Sequence, residues 1–412
     1  MRRASLAAAA AAVLLAALSM ALAGCGGSST PVAATPTPVS NTQQIVVDLG
    51  PTLNGQTVGA DNSLYTNVTI CLPGTATCQT IEHILVDTGS SGLRILSTSV
   101  SLSLPYIVDA NNNGIGNCIQ FPDTSFQWGP MAKVDVHLAG EVGTVPIQIV
   151  SPSNFTGPPT ACSAGGVAAN TVSSLGANGI LGVGLFRQDC GAPCASSSPP
   201  NVYFSCPSSG CTPTTVALTS QLQNPVWMFA TDNNGLSITL PAIGATGAPT
   251  AVGTISFGIG TQTDNALGSA QAQAATAKGT FTTTFGGVAY TNSFIDSALG
   301  AYYFLDSATT KLPNCPNGDA AGYYCAPSPV SLTAITSGPN PSSTGTTVSQ
   351  NIAFSVWNAL TLIDSGIPAF NNIGGPNPGA FSWGLPFFYG RTVFIGIEGQ
   401  TTPAGTGPYW AY

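Results

Sequence analysis

His83-Ile84-Leu85-Val86-Asp87-Thr88-Gly89-Ser90-Ser91-Gly92-Leu93 is an apolar run that stops at a carboxylate. Small hydroxylated residues and glycines follow it, and apolar residues resume at Leu93, Ile95 and Leu96. This pattern predicts a strand feeding a tight turn. Such a turn holds Asp87 at the strand end. Gly89 lets another part of the backbone approach closely, and Ser90 can donate a hydrogen bond to the carboxylate. Taken alone, Asp-Thr-Gly-Ser-Ser also reads as an ordinary turn, so its meaning depends on what else the chain contains.

The two halves of the chain echo each other. Asn67–Cys71, a Pro73-Gly74 turn and Thr80–Val86 read as a hairpin running into Asp87. Thr280–Phe285, a Gly286-Gly287 turn and Val288–Ile295 form a second one, ending in Asp296-Ser297-Ala298. Each half later carries an apolar segment with a glycine, 95 residues from Asp87 to Gly182 and 88 from Asp296 to Gly384. A duplicated β lobe presenting one carboxylate per copy predicts that the two carboxylates meet where the lobes meet. Leu362-Ile363-Asp364-Ser365-Gly366 is a competing match that keeps the glycine, but Asp364 leaves no room for the intervening strands before Gly384.

Arg2 and Arg3 open an apolar stretch from Ala4 to Leu22, and Leu22-Ala23-Gly24-Cys25 resembles the lipobox of bacterial lipoproteins. That reading makes residues 1–24 a signal peptide and Cys25 the acylated (palmitate-bearing) N-terminus, with an ordinary signal peptide as the alternative. Gly26, in place of an inner-membrane retention aspartate, points, in a Gram-negative cell, to the outer membrane of the bacterial cell envelope, facing the periplasm or the surface. Residues 25–43 are an uncharged Gly/Ser/Thr/Pro/Ala tether. The remainder suits two packed lobes, an N-terminal β lobe over 44–250 and a C-terminal β lobe over 251–412.

Eight basic residues stand against sixteen acidic ones. That balance argues against a nucleic-acid partner. Charged residues are only 6% of the chain, and Gly and Pro are abundant, which favours short strands and turns over helices. Apart from Cys25, ten cysteines remain, an even number that reads as a disulfide framework in an exported chain. Spacing suggests Cys71/Cys78, Cys190/Cys194, Cys206/Cys211 and Cys315/Cys325, which leaves Cys118/Cys162 as the longer bridge. Zinc is the rival reading, weakened because His83 and His137 are the only histidines. A Ser-His-Asp site would have to use one of these two, each on a predicted strand. No metal and no cofactor are expected.

Further along, Phe126-Gln127-Trp128-Gly129-Pro130 precedes alternating strands, so Trp128 reads as a half-buried aromatic or as the tip of a mobile hairpin. Val216–Gln223 reads as a short helix, Val226–Ala230 and Leu236–Leu240 as strands, and 307–327 and 336–348 as loops.

Asp87-Thr88-Gly89-Ser90-Ser91, the strand Asn178-Gly179-Ile180-Leu181-Gly182 and the ending from Gly384 to Ile397 are similar, in kind, order and interval, to pepsin-like aspartic peptidases. The resemblance spans roughly residues 44 to 400. It is closer still to a group of bacterial pepsin-like lipoproteins that share an ending like Trp-Gly-Leu-Pro-Phe-Phe-Tyr-Gly-Arg, from which no activity carries over. It implies an all-β, bilobal pepsin-like double β-barrel with a central cleft and few short helices. Asp87 and Asp296 would form the dyad, supported by Thr88, Gly89, Ser90 and Ser297. Trp128 and Gly129 would lie where the family has its flap tyrosine and glycine. Two carboxylates in contact share one proton, so one can activate a water while the other protonates a peptide carbonyl.

The resemblance implies a monomeric, membrane-tethered endopeptidase acting on polypeptides between bulky apolar residues. The alternative is a catalytically silent lipoprotein that binds a peptide, glycan or protein in the same cleft. Three departures bear on that choice. Ala298 stands where the family has Gly, Leu299 where it has Ser or Thr, and Arg94 where it often has Trp. No Lys or Arg lies between Cys25 and Asp87, so no basic autoinhibitory pro-segment is expected.

Overall fold

A computed structural model describes residues 40–412 except 122, 165, 197, 198 and 317. The signal segment, the lipidation expected at Cys25 and the tether up to residue 39 lie outside the described residues. The fold is all-β, with a closed six-stranded barrel, a nearly closed seven-stranded barrel and four short helices among the described residues.

In the first barrel, Leu64–Cys71 pairs with Cys78–Asp87, which runs parallel to Gly179–Val183. That strand pairs with Ser91–Leu96, followed by Glu141–Val150 and Phe126–Leu138. Phe126–Leu138 closes the ring by pairing Ile70 with Val136. Alternating aliphatic side chains make this closure favourable: Val68, Ile70, Ile84, Val86, Val134, Val136 and Ile147 are all buried inside. Each contributes about 1.5–3 kcal/mol relative to exposure. Ser91–Leu96 is buried along its whole length, as suits a central strand covered on both faces.

The sheet then runs on from the first barrel through Thr42–Val47, Ala251–Phe257, Gly235–Leu240, Arg391–Gly396, Tyr409–Ala411 and Ala272–Ala274. The second barrel follows the order Thr347–Asn358, Cys325–Pro339, Phe281–Phe285, Val288–Ile295, Asn377–Trp383, Tyr302–Leu305, Gly374–Gly375. Its filling is aromatic. Phe381 stacks between Phe304 and Trp383 with centroids 5.1 and 5.4 Å apart, and Phe354 meets Trp383 edge-on at 5.2 Å.

The barrels repeat one local arrangement. In the first, Gly182 lies beside Asp87 on a parallel strand. In the second, Trp383 lies beside Ile295 on a parallel strand, and the Asp296 N–H donates to the Trp383 carbonyl. The hairpin-to-carboxylate repeat therefore exists in three dimensions.

Five disulfides join Cys71–Cys78, Cys118–Cys162, Cys190–Cys194, Cys206–Cys211 and Cys315–Cys325, the pairs that spacing suggested. Three local expectations differ. Val226–Ala230 is not a strand: Val226–Met228 is a 3-10 turn started by Pro225 and by Asn224 Oδ1, which accepts from the Val226 N–H. Only Leu218–Ser220 of the expected helix is helical, because the buried amides of Gln221 and Gln223 bind nearby carbonyls instead. The loop expected at 336–348 shrinks to a turn between the long strands Cys325–Pro339 and Thr347–Asn358.

Candidate active site

The turn after Cys78–Asp87 closes on its own carboxylate. The Gly89 N–H donates to Asp87 Oδ1 at 2.7 Å, and the Ser90 hydroxyl donates to Asp87 Oδ2. These bonds fix the carboxylate at the barrel rim, where Asp87 is buried. Across the lobe boundary, the Ala298 N–H donates to Asp296 Oδ1 at 2.9 Å, the counterpart of the Gly89 bond. Ala298 has no positive φ, so its methyl is tolerated in this turn.

The two turns are locked to each other by a reciprocal pair. The Thr88 N–H donates to Ser297 Oγ at 3.1 Å, and the Ser297 N–H donates to Thr88 Oγ1 at 2.9 Å. Ser297 Oγ also donates to the Val86 carbonyl at 2.6 Å. Both side chains are buried, so each bond left unmade would cost about 1–3 kcal/mol. This lock brings the carboxylates together. It also explains Gly89: a β-carbon there would sit 2.4 Å from Asp296 Oδ2.

Burial first, and then the neighbouring Asp87 charge, push the Asp296 carboxyl well above its ordinary range. N–H groups of Ala298 and Gly89 act in the opposite direction without reversing the balance. Two carboxyls this close share one proton. The halves differ in one respect. Ser90 bonds Asp87, but the position three residues beyond Asp296 is Leu299, which has no hydroxyl to offer.

Asp364 takes no part in this arrangement; it is exposed at the end of the short helix Ala359–Ile363. Trp128 and Gly129 are not at a hairpin tip, which corrects the flap reading. Trp128 is 3% exposed, lies opposite Cys118 in mid-strand, packs edge-on against Phe204 and donates to the Thr156 carbonyl at 2.8 Å. Gly129 is there for backbone crowding, since a β-carbon would lie 1.9 Å from the Ile149 carbonyl oxygen. His83 faces Asp48 at 3.3 Å, and among the described residues neither histidine is bonded to a serine hydroxyl. Cys71, Cys78 and His137 lie within metal-binding reach of one another, but both sulfurs are in a disulfide and offer no thiolate.

One group escaped the sequence reading. Arg94 and Asp189 form an ion pair at 3.4 Å, with side chains 2% and 6% exposed. Tyr203 Oη and Asn117 Nδ2 also donate to Asp189. The signal was available: Arg94 interrupts the otherwise uncharged strand Ser91–Leu96 in a chain poor in charge.

The chain belongs to the family described as "protein of unknown function (DUF3443)", which matches residues 37–412. No curated protein matches it.

Proposed function

We propose that this family member is an aspartic-type endopeptidase of the pepsin-like class, tethered to a bacterial outer membrane by lipid on Cys25 and working as a monomer on polypeptides. The observation that carries this reading is the carboxylate pair, set by the reciprocal Thr88–Ser297 bonds. A water held between the carboxylates gives its proton to Asp87 as it attacks the peptide carbonyl. Asp296 gives its proton to the carbonyl oxygen, forming a tetrahedral diol. The proton gained by Asp87 then passes to the departing amine as the C–N bond breaks, and a diol hydroxyl returns its proton to Asp296, leaving a carboxylic acid and the starting dyad. The reaction needs only the two carboxylates and water. Five disulfides among the described residues suit an oxidising, extracytoplasmic address.

Leu299 favours a second reading, a peptide-binding cleft without turnover, because a missing hydroxyl leaves Asp296 less firmly oriented than Asp87. Cleavage of an unfolded protein followed from pH 3 to 7 separates the two. Acid-dependent cleavage, blocked by a peptide carrying a hydroxyl isostere of the scissile bond, supports the peptidase. Binding of that peptide by a folded protein that cleaves nothing supports the second reading.

A further inference from the structure

Beside the dyad lies a cavity of about 390 Å³, in the size range of ligand pockets. Its wall includes Gly89 and Ser90, the residues that touch the two carboxylates, and its lining also includes Arg94, Asp189, Gln120 and Gln188. The lining is mixed, with Ile119, Phe186 and Val202 beside these polar groups.

The polar groups of the lining are unevenly satisfied. Asp189 accepts from Tyr203 Oη at 2.5 Å and Asn117 Nδ2 at 3.0 Å, besides facing Arg94. The guanidinium is less well served. Its contacts to the Ser91 carbonyl, Asn117 Oδ1 and Asp189 Oδ2 are 3.4–3.5 Å long, and its buried Nε has no partner among the described residues. A guanidinium has five N–H donors, so Arg94 retains unused donor capacity. Gln120 and Gln188 spend their Nε2 groups on the Cys162 carbonyl and Gln223 Oε1, which leaves both Oε1 atoms without a partner among the described residues. The lining thus combines a buried guanidinium held only by long contacts with two carboxamide oxygens on more exposed residues. The Arg94 and Asp189 charges offset each other, and the dyad adds a negative charge next door, which disfavours a second carboxylate.

We propose that this cavity is the specificity pocket of the cleft, and that it selects a carboxamide side chain, glutamine or asparagine, in a bound polypeptide. The carboxamide oxygen accepts from Arg94, and its NH2 donates to the Gln120 and Gln188 oxygens. The inference rests on the cleft binding a polypeptide, as the peptidase reading requires, but not on turnover. It replaces the apolar preference expected from the sequence with a polar one. Arg94 and Gln188 act here as specificity residues.

The test uses the oxidised full-length protein and hydroxyethylene-isostere peptides bearing Gln, Glu, Leu or Lys in turn at each of the two positions on either side of the isostere. Binding is measured directly, and cleavage of the parent peptides separately. At one position Gln should bind about tenfold more tightly than Leu and more tightly than Glu, the worth of one to two hydrogen bonds to charged or amide groups. Arg94→Gln/Asp189→Asn, which removes both buried charges together, should erase that preference. Gln188→Leu on the half-exposed rim should reduce it severalfold without touching the buried pair, which keeps the test open if the double variant does not fold. Gln preference without cleavage would support the pocket and defeat the peptidase reading. Cleavage with Leu or Glu preferred at every position would do the reverse, and no peptide binding at all would overturn the pocket.

Discussion

The two barrels present matching carboxylates but are held together differently. The first has an aliphatic core, and four of the five disulfides among the described residues lie in its half of the chain, of which Cys71–Cys78 joins two of its own strands. The second has one, Cys315–Cys325, and a continuous aromatic stack through Phe304, Phe381 and Trp383. Stacked and edge-on rings add about 0.5–1.5 kcal/mol per pair beyond their burial. The difference extends to the dyad. Asp87 is held by a backbone N–H and a hydroxyl, Asp296 by a backbone N–H without the hydroxyl. A duplicated frame can keep its geometry while its halves diverge in chemistry, because the lock between them runs through Thr88 and Ser297 rather than through the departing positions.

The strongest way to break the comparison is to remove either carboxylate. Asp87→Asn and Asp296→Asn should each lower cleavage roughly a thousandfold, since neither half can supply both proton transfers. Asp364→Asn should change the rate less than twofold. A large loss at Asp364 with none at Asp296 would reverse the pairing.

Next in size is the lock. Thr88→Val leaves the Ser297 N–H buried and unpaired, and Ser297→Ala does the same to the Thr88 N–H. Each should cost about 1–3 kcal/mol in denaturant unfolding, with Ser297→Ala the costlier because it also frees the Val86 carbonyl.

Exchanging the departing positions sharpens the contrast. Ser90→Ala makes the first half resemble the second and should reduce the cleavage rate about tenfold. Leu299→Ser makes the reverse change and should raise the rate by up to tenfold. If Leu299→Ser has no effect on the rate, the absent hydroxyl is not what distinguishes the halves.

The smallest effect is on stability against pH. The folded Asp296 carboxyl is raised above its unfolded value near 3.8. The protein therefore has the full benefit of the protonated group below that value and loses it as pH rises towards the folded pKa. Asp296→Asn carries no such penalty. Its denaturation midpoint should exceed the parent's at pH 7, and the difference should close towards pH 3. Cleavage by the parent should decline over the same rise in pH, as Asp296 loses the proton it donates.

Much of this was legible in the residues. Hairpins followed by Asp87 and Asp296 were visible because an apolar run ending at a carboxylate is a local signal, and its recurrence half a chain later needs no structure to see. The local cysteine pairs were visible for the same reason. The long hairpin of Cys325–Pro339 and Thr347–Asn358 was hidden because many of its exposed positions are Ser, Thr, Pro or Asn, and strand pairing there is set by the partner strand rather than by local apolar content. Trp128 looked like a flap residue by spacing alone. Its burial follows from Phe204 and the Thr156 carbonyl, which only folding brings to it.

Local chemistry and periodicity suffice for an all-β duplicated chain with one carboxylate turn per half. Contact between Asp87 and Asp296, the lock between residues 209 apart, and the Arg94–Asp189 pair 95 residues apart belong to the folded chain alone. The physical reason is that burial and proximity raise the Asp296 carboxyl and leave Arg94 with only long contacts, and both are properties of what the barrels pack around a residue rather than of the residue itself.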